Sequence, residues 1–191
     1  INDMEVLYAS MVRLIKESLD IDRVAVFIID PKTGILKGTY GVGPDGNIRA
    51  EHDYREVITD QHWTHDVMNS PIRTYLRENI PLYEKGIQIA DGCWHTGSAL
   101  WNGQTAIGFL VTDNLLSRKP PRSYQAEISS ILGNTYGHLI HLKQTQLTLA
   151  ESEEHHRILL NAIPDLVFRL DYNGNFLDFH SSKPGDLVAP P

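Results

Sequence analysis

The side chains best able to do chemistry in this sequence lie in two short stretches, near residues 63 and 94. They are His62, Trp63, His65, Cys93, Trp94 and His95. Aromatic walls with a few polar groups suit a small-molecule pocket. Tryptophan also fills hydrophobic cores, with histidine at their edges. The residue types therefore predict either a ligand pocket or an aromatic part of the core.

Cys93 is the sole cysteine of the sequence. Thiol redox catalysis needs a second cysteine that resolves the first through a disulfide. Because the sequence has no second cysteine, a redox enzyme is disfavoured, and a buried, inert thiol is the expectation. A lone cysteine also fits a reducing compartment.

The histidines occur in pairs, some of them at the three-residue spacing that can bind a transition metal on a helix. The pairs are His62 and His65, His138 and His141, and His155 and His156. No cysteine or carboxylate completes a recognisable site beside them, so no metal site is predicted.

Motifs of the common catalytic classes do not occur. Residues 41–46 match a dinucleotide-binding glycine pattern, but the sequence from Pro44 to Asn47 is typical of a turn between antiparallel strands. The sequence has no P-loop, nucleophile elbow or zinc-hydrolase motif. We therefore expect no catalytic residues and no enzymatic activity in this segment.

Composition indicates a globular protein without a nucleic-acid surface. The 191 residues are 41% hydrophobic and 21% charged, with a net charge of −7. An acidic chain lacks the basic face that nucleic acid requires. No apolar run approaches the length of a membrane span, and no secretory signal is present. The predicted location is the cytoplasm, without membrane contact in this segment.

The first part of the chain alternates between helix and hairpin signals. Apolar residues at three- and four-residue spacing (Met4, Leu7, Met11 and Leu14) predict a helix that ends near Leu19. Residues 24–29 and 35–42 predict two strands around a proline-glycine turn. Residues 43–92 are irregular, with a helix predicted at 72–78. Residues 96–101 and 105–112 predict a hairpin around Asn102-Gly103.

A long helix is predicted from Ser123 to Ile163. Its apolar residues Ile128, Leu132, Leu139, Leu142 and Leu149 follow a heptad spacing that weakens at Gln146, Glu153 and His156. Pro164 ends the helix. Two short strands, residues 166–170 and 176–179, follow around an Asp-Tyr-Asn-Gly-Asn turn. The order of elements predicts an α+β fold.

This order resembles a GAF domain followed by the opening of a PAS domain. The GAF resemblance rests on the strand 23–29 with its Asp-Pro-Lys-Thr-Gly turn, the Tyr-Gly-Val-Gly end of the second strand, and the hairpin 97–112 with Gly108. The PAS resemblance rests on the helix and hairpin from residue 158 onward. We accordingly predict a GAF-like domain at 1–145, a helical linker at 146–157 and an incomplete PAS-like domain at 158–191.

The resemblance implies an antiparallel sheet backed by the first and last helices, with the irregular insert covering a small-molecule pocket. It places the six candidate residues, from His62 to His95, in or beside that pocket. No cofactor is evident. In GAF photoreceptors the bilin-binding cysteine is usually followed directly by histidine; here Trp94 intervenes, so a bilin is not expected. The cyclic-nucleotide signature of phosphodiesterase GAF domains is also absent.

The function implied is a sensory or regulatory module of a bacterial signal-transduction protein, such as a histidine kinase of a two-component system or a cyclic-di-GMP enzyme. It would form a homodimer through a helical bundle and act on a downstream PAS and output domain of the same chain. The predicted dimer and linker residues are Leu7, Met11, Leu14, Ile128, Leu132, Leu139, Leu142 and Leu149. The alternatives are a ligand-binding or tetrapyrrole-binding GAF photoreceptor and a GAF-type redox enzyme.

Overall fold

The computed structural model describes residues 3–19, 21–84, 86–162 and 167–180. The chain forms two compact units, Ile1–Lys143 and Gln144–Pro191, each described by itself. The helices are α1 (Asp3–Leu19), α2 (Thr64–Asn69) and α3 (Gln125–Ala162). The strands are β1 (Arg23–Ile29), β2 (Ile35–Val42), β3 (Ile48–Ala50), β4 (Arg55–Val57), β5 (Thr74–Glu84), β6 (Ile87–Trp101), β7 (Ala106–Asp113), β8 (Val167–Leu170) and β9 (Phe176–His180).

The first unit is built on an antiparallel sheet in the order β3-β2-β1-β7-β6-β5, with β4 also paired to β2. Local turn chemistry sets its hairpins. The Asp30 carboxylate accepts hydrogen bonds from the backbone of Lys32 and Thr33, and Gly34 adopts a φ of 69°. Asn102 accepts two backbone hydrogen bonds in the β6–β7 turn in the same way. The predicted α+β class is confirmed.

One face of this sheet packs against α1 and α3. Helix α1 packs mainly on β1 and β2, and its buried residues Tyr8, Met11, Val12 and Ile15 belong to one core with Leu100 of β6 and Leu110 of β7. Of the predicted stripe of α1, Met11 is buried and Met4 and Leu7 pack against the same core, whereas Leu14 is exposed.

Helix α3 approaches β6 closely through small residues spaced four apart. A Cβ atom on Gly133 would lie 2.4 Å from the Ala99 carbonyl oxygen, and one on Gly137 would lie 2.3 Å from the Trp101 nitrogen. Either distance is far shorter than van der Waals contact, so only glycine fits at these positions. These two glycines therefore allow α3 to pack closely on the backbone of β6.

Residues 72–78 are predicted as a helix, but residues 74–78 belong to β5 and residues 72 and 73 form the turn before it. Backbone pairing with β6 overrides the local helical pattern. Pro81 is tolerated because β5 lies at the edge of the sheet, where one side of the strand has no partner to bond. The positive φ of Asn79 marks an irregularity in the pairing with β6.

Helix α3 begins two residues after the predicted start, Ser123, and continues without a break through Gln146 and Glu153. Ile163 and Pro164 lie outside the described residues, as does the start of the strand predicted at 166. Strands β8 and β9 form a hairpin whose turn is held by Asp171. This hairpin occurs where the sequence predicts one; its assignment to a PAS-like domain stays a prediction.

Within the described part of the chain, no helix combines the length and the apolar character that crossing a bilayer requires.

Candidate functional site

The sheet face opposite α1 and α3 carries α2 and most of the candidate residues. Alternate residues of the central strands point to this face, so Phe27, Ala99 and Phe109 pack there with Val67 of α2. Strand register adds two further rows across the sheet. One contains Ala25, Val111 and Gly97, and the other contains Arg23, Asp113 and His95.

Trp63 lies at the centre of an aromatic group on this face. Its ring centroid is 5.1 Å from that of His62, 5.3 Å from that of Phe109 and 6.3 Å from those of Tyr75 and His95. Gly97 makes room for these rings, because a Cβ there would lie 3.0 Å from Trp63 and 2.8 Å from Tyr75. Trp63, Tyr75 and His95 together form an aromatic wall.

His95 and Tyr75 form a neutral hydrogen-bonded pair within that wall. The Tyr75 hydroxyl lies 2.8 Å from Nδ1 of His95. Burial, with the nearby charges of Arg77 and Arg23, lowers the pKa of His95 to about 4. Burial also raises the pKa of the Tyr75 hydroxyl. Both side chains are therefore uncharged near pH 7.

His62 is held at one end of the site by polar contacts on both ring nitrogens. Nδ1 lies 2.9 Å from the Thr64 hydroxyl, and Nε2 lies 3.2 Å from the Glu56 carboxylate. Tyr54 donates a hydrogen bond to Glu56 while its ring packs 4.9 Å from that of Phe27. These contacts connect α2 to the strand β4.

A chain of alternating charges forms a second wall, which meets the aromatic wall where Asp113 pairs with His95. Arg49 binds Glu51, at 3.2 Å, and Glu84. Arg23 lies 3.6 Å from Glu84 and 3.2 Å from Asp113. Burial raises the pKa of Asp113, and the charge of Arg23 opposes that rise. Three carboxylates and two guanidinium groups leave this wall with one excess negative charge when all are ionised.

Between the two walls the sheet surface is made of small side chains. Ala25 and Val111 remain half-buried although they lie on central strands, β1 and β7. On the charged side, the carboxylate of Glu51 lies over Gly41, where a Cβ would be 3.2 Å from the carboxyl carbon of Glu51. We call this site the sheet cleft, with Ala25, Val111 and Gly97 as its floor.

His65, Cys93 and Trp94 lie outside the sheet cleft. His65 is exposed on α2, with Nε2 2.9 Å from the Thr59 carbonyl oxygen. The indole of Trp94 is buried and donates a 2.9 Å hydrogen bond to the Lys119 carbonyl. Trp94 thereby anchors the loop that precedes α3.

Cys93 is buried where β6 pairs irregularly with β5. Its sulfur contacts the Arg118 guanidinium and lies 3.6 Å from the Asp91 carbonyl oxygen. Burial raises the pKa of the thiol, and the Arg118 charge opposes this in part. A largely protonated, enclosed thiol is a poor nucleophile.

Several residues of the sheet cleft were not found from the sequence. Tyr75 was missed because its segment was predicted as a helix. Arg23 and Asp113 were missed because they are separated by 90 positions, and only the β1–β7 register pairs them. The alternation of side chains along each strand could have predicted that both residues lie on one face of the sheet. It could not have predicted that they lie side by side.

The predicted dimer residues divide between the interior and the surface of the protein. Met11 is 1% exposed, so it belongs to the core of its own chain and is not available to a second one. Leu7 and Leu132 are partly buried against the same core, and Ile128 is half-buried. The exposed members are Leu14, Leu139, Leu142 and Leu149, joined on α3 by Ile131, which was not predicted.

Solved structures with this architecture include GAF domains. The second GAF domain of DevS from Mycobacterium smegmatis is similar with a TM-score of 0.57 at 14% identity, covering 77% of this chain and 99% of that one. The PixJ GAF domain of Thermosynechococcus elongatus, in its blue-light absorbing form, gives 0.52 at 16% identity, covering 81% and 95%. A domain of a sensor histidine kinase from Sinorhizobium meliloti 1021 gives 0.51 at 12% identity, covering 78% and 99%.

The chain has the GAF fold. No family model matches the sequence, and no curated protein matches it. In this GAF fold the sheet cleft lies on the α2 side of the sheet, with α1 and α3 on the other. Among the described residues, no group of three or more histidine, cysteine, aspartate or glutamate side chains is placed to hold a metal ion.

Proposed function

We propose that this GAF domain is a sensory module of a bacterial signal-transduction protein. In this proposal a small molecule binds in the sheet cleft, and the bound state is passed through α3 to a downstream PAS and output domain. The structural similarity to domains of DevS, PixJ and a sensor histidine kinase supports a sensory function. A binding role is favoured over catalysis because the walls of the cleft offer neutral or ion-paired groups.

The observation that carries the proposal is the position of β6 between the cleft and α3. On one side of β6, Gly97 lies beneath Trp63 and Tyr75. On the other side, Thr96 lies 3.3 Å from the Ser129 hydroxyl of α3. The backbone of the same strand contacts Gly133. A change in side-chain packing at the cleft would therefore reach α3 through β6, because this strand contacts both.

Dimerisation through the helical face is part of the proposal. Ile131, Leu139 and Leu142 form an exposed apolar stripe on α3, at separations of eight and three residues. Burying one such side chain fully contributes roughly 1.5–3 kcal/mol. A second copy of the chain, which presents the same stripe, is the occupant proposed for this surface.

Sedimentation velocity at micromolar concentration tests the dimer. We expect the unmodified chain to sediment as a dimer and Leu139→Glu to shift it to a monomer. The matched control is Leu116→Glu, because Leu116 is 44% exposed and Leu139 is 43% exposed, yet Leu116 lies on a loop away from the stripe. A monomeric wild-type chain, or equal effects of the two substitutions, would refute this part of the proposal.

The photoreceptor and redox alternatives are disfavoured by the position of Cys93. Covalent bilin attachment and thiol catalysis both need an accessible sulfur beside the ligand. The Cys93 sulfur is instead buried beside Arg118 and outside the sheet cleft. Expression with a bilin should therefore give a colourless protein.

A further inference from the structure

Helix α3 carries a stripe of exposed residues on the side that faces away from the sheet. Gly133, Gly137 and Ile140 lie on the sheet side, where Ile140 is fully buried. At 3.6 residues per turn, the opposite side carries residues at alternating separations of four and three. These residues are all exposed: Ile131, Thr135, His138, Leu142, Thr145 and Leu149.

The spacing of this stripe fits a second copy of the same helix. Alternating separations of four and three residues are those of the a and d positions of a coiled coil. In a two-fold dimer with parallel helices, each position of one chain meets the same position of the other. The stripe contains no lysine, arginine, aspartate or glutamate, so two copies can approach at neutral pH without repulsion.

His138 is the residue of this stripe whose charge depends on pH. Its Cε1 atom lies 3.3 Å from the point that a Cβ on Gly103 would occupy, so the β6–β7 turn supports the ring on one side. The side chain is otherwise exposed. Paired helices lie about 8–10 Å apart. A second copy therefore brings the two imidazole rings close enough to repel each other strongly when both are protonated.

No carboxylate of α3 is placed to offset that positive charge. The helix has no aspartate or glutamate between Glu127 and Glu151, which lie eleven and thirteen positions from His138. The turn that supports the ring, residues 102–105, contains no ionisable side chain. Protonation of His138 therefore creates a charge without an acidic neighbour on its own helix or on this turn.

The other charged groups around this part of α3 are mainly positive. His141 and Lys143 follow on the same helix, and the Asp3 carboxylate of α1 lies 2.7 Å from Nζ of Lys143. The Arg73 guanidinium lies 3.9 Å from the ring centroid of Trp101, whose backbone contacts Gly137. Because Asp3 is already paired with Lys143, these surroundings do not compensate a protonated His138.

We propose that His138 makes dimerisation of this chain dependent on pH. The dimer forms while the two His138 rings are neutral and weakens when they are protonated, because two like charges then meet across the two-fold axis. Histidine changes its charge between pH 5 and 8, so acidification across this range separates the paired α3 helices. The inference rests on the proposed function, since it concerns the regulation of the same dimer.

Sedimentation velocity at about pH 8 and about pH 5.5, over a series of protein concentrations, tests this inference. A chelator is present throughout, so that no transition metal bridges the histidines. We expect the dimer Kd of the unmodified chain to rise about tenfold or more at the lower pH.

Three variants assign the effect to His138. His138→Gln keeps a polar side chain without the charge change, so its Kd should be the same at both pH values. His138→Lys carries the charge permanently and should weaken the dimer at both. The matched control is His65→Gln at an exposed position of α2, which should retain the pH dependence of the unmodified chain.

Circular dichroism at both pH values confirms that each protein is folded. Loss of the dimer through unfolding would affect His138→Gln as much as the unmodified chain, so the comparison of these two separates unfolding from repulsion. A Kd that is independent of pH, or one that changes equally in the unmodified chain and His138→Gln, would overturn the inference and leave the dimer standing. A chain that is monomeric at about pH 8 would refute the dimer of the proposed function, and the inference with it.

Discussion

Replacing Gly137 with alanine tests how closely α3 packs on β6. The new Cβ would lie 2.3 Å from the Trp101 nitrogen, 2.4 Å from its oxygen and 2.6 Å from the Leu100 carbonyl carbon. All three atoms are backbone, so no side chain can rotate away. Helix and strand must separate by about 1 Å to restore ordinary contact.

The magnitude follows from two opposing effects. Overpacking of a tight contact costs about 1–3 kcal/mol, and three backbone contacts favour the upper end. Alanine regains about 1 kcal/mol over glycine in helix propensity. The net loss is about 2 kcal/mol, which lowers the Tm of a chain of this size by about 4–8 °C.

Differential scanning calorimetry measures this change. Thr135→Ala is the matched control: it adds alanine to an exposed position of the same helix, and its Tm should stay unchanged or rise slightly. If Gly137→Ala unfolds at or above the wild-type Tm, the reasoning is refuted, because helix propensity alone would then account for the result. Gly133→Ala should behave like Gly137→Ala, with its clash against the Ala99 carbonyl oxygen at 2.4 Å.

Two further predictions concern buried side chains of β6. The pKa of His95 is about 4 in the folded chain and 6.5 in the unfolded one, so the unfolded state binds more protons and stability falls as the pH drops from 6.5 towards 4. Between pH 7 and pH 5 the free energy of unfolding should fall by about 2 kcal/mol. Urea titrations at the two pH values should show a smaller fall for His95→Phe and an unchanged fall for His65→Phe. Trp94→Phe removes the hydrogen bond to Lys119 and should cost about 1 kcal/mol. Thermal melts measure this change, and the exposed control Tyr83→Phe should have the Tm of the wild type. A wild-type Tm for Trp94→Phe would show that Trp94 does not anchor the loop.

Prediction from sequence succeeded where the signal is local. The turns at Asp30 and Asn102 form because their side chains bond to nearby backbone, and this needs no distant partner. Helices α1 and α3 follow their apolar periodicity. The edge strand β5 was missed because its own residues favour a helix and only pairing with β6 makes it extended.

The candidate site was predictable only in part. The sequence indicated His62, Trp63 and His95 by residue type, and these three lie together in the fold. It could not separate them from Cys93 and Trp94, because neighbours on a strand alternate between faces and the irregular β5–β6 pairing decides where each side chain lies.

The sequence by itself determined the order of elements, the turns and the apolar helices, because these depend on residues a few positions apart. Only the tertiary structure decided that Leu14 of α1 is exposed, which apolar residues of α3 stay exposed, and that Arg23, Asp113 and His95 form one row. Contacts between residues far apart in the chain depend on strand register and helix approach. In this protein, Gly133 and Gly137 determine how closely α3 approaches β6, and the pairing of the seven-stranded sheet determines which side chains are neighbours.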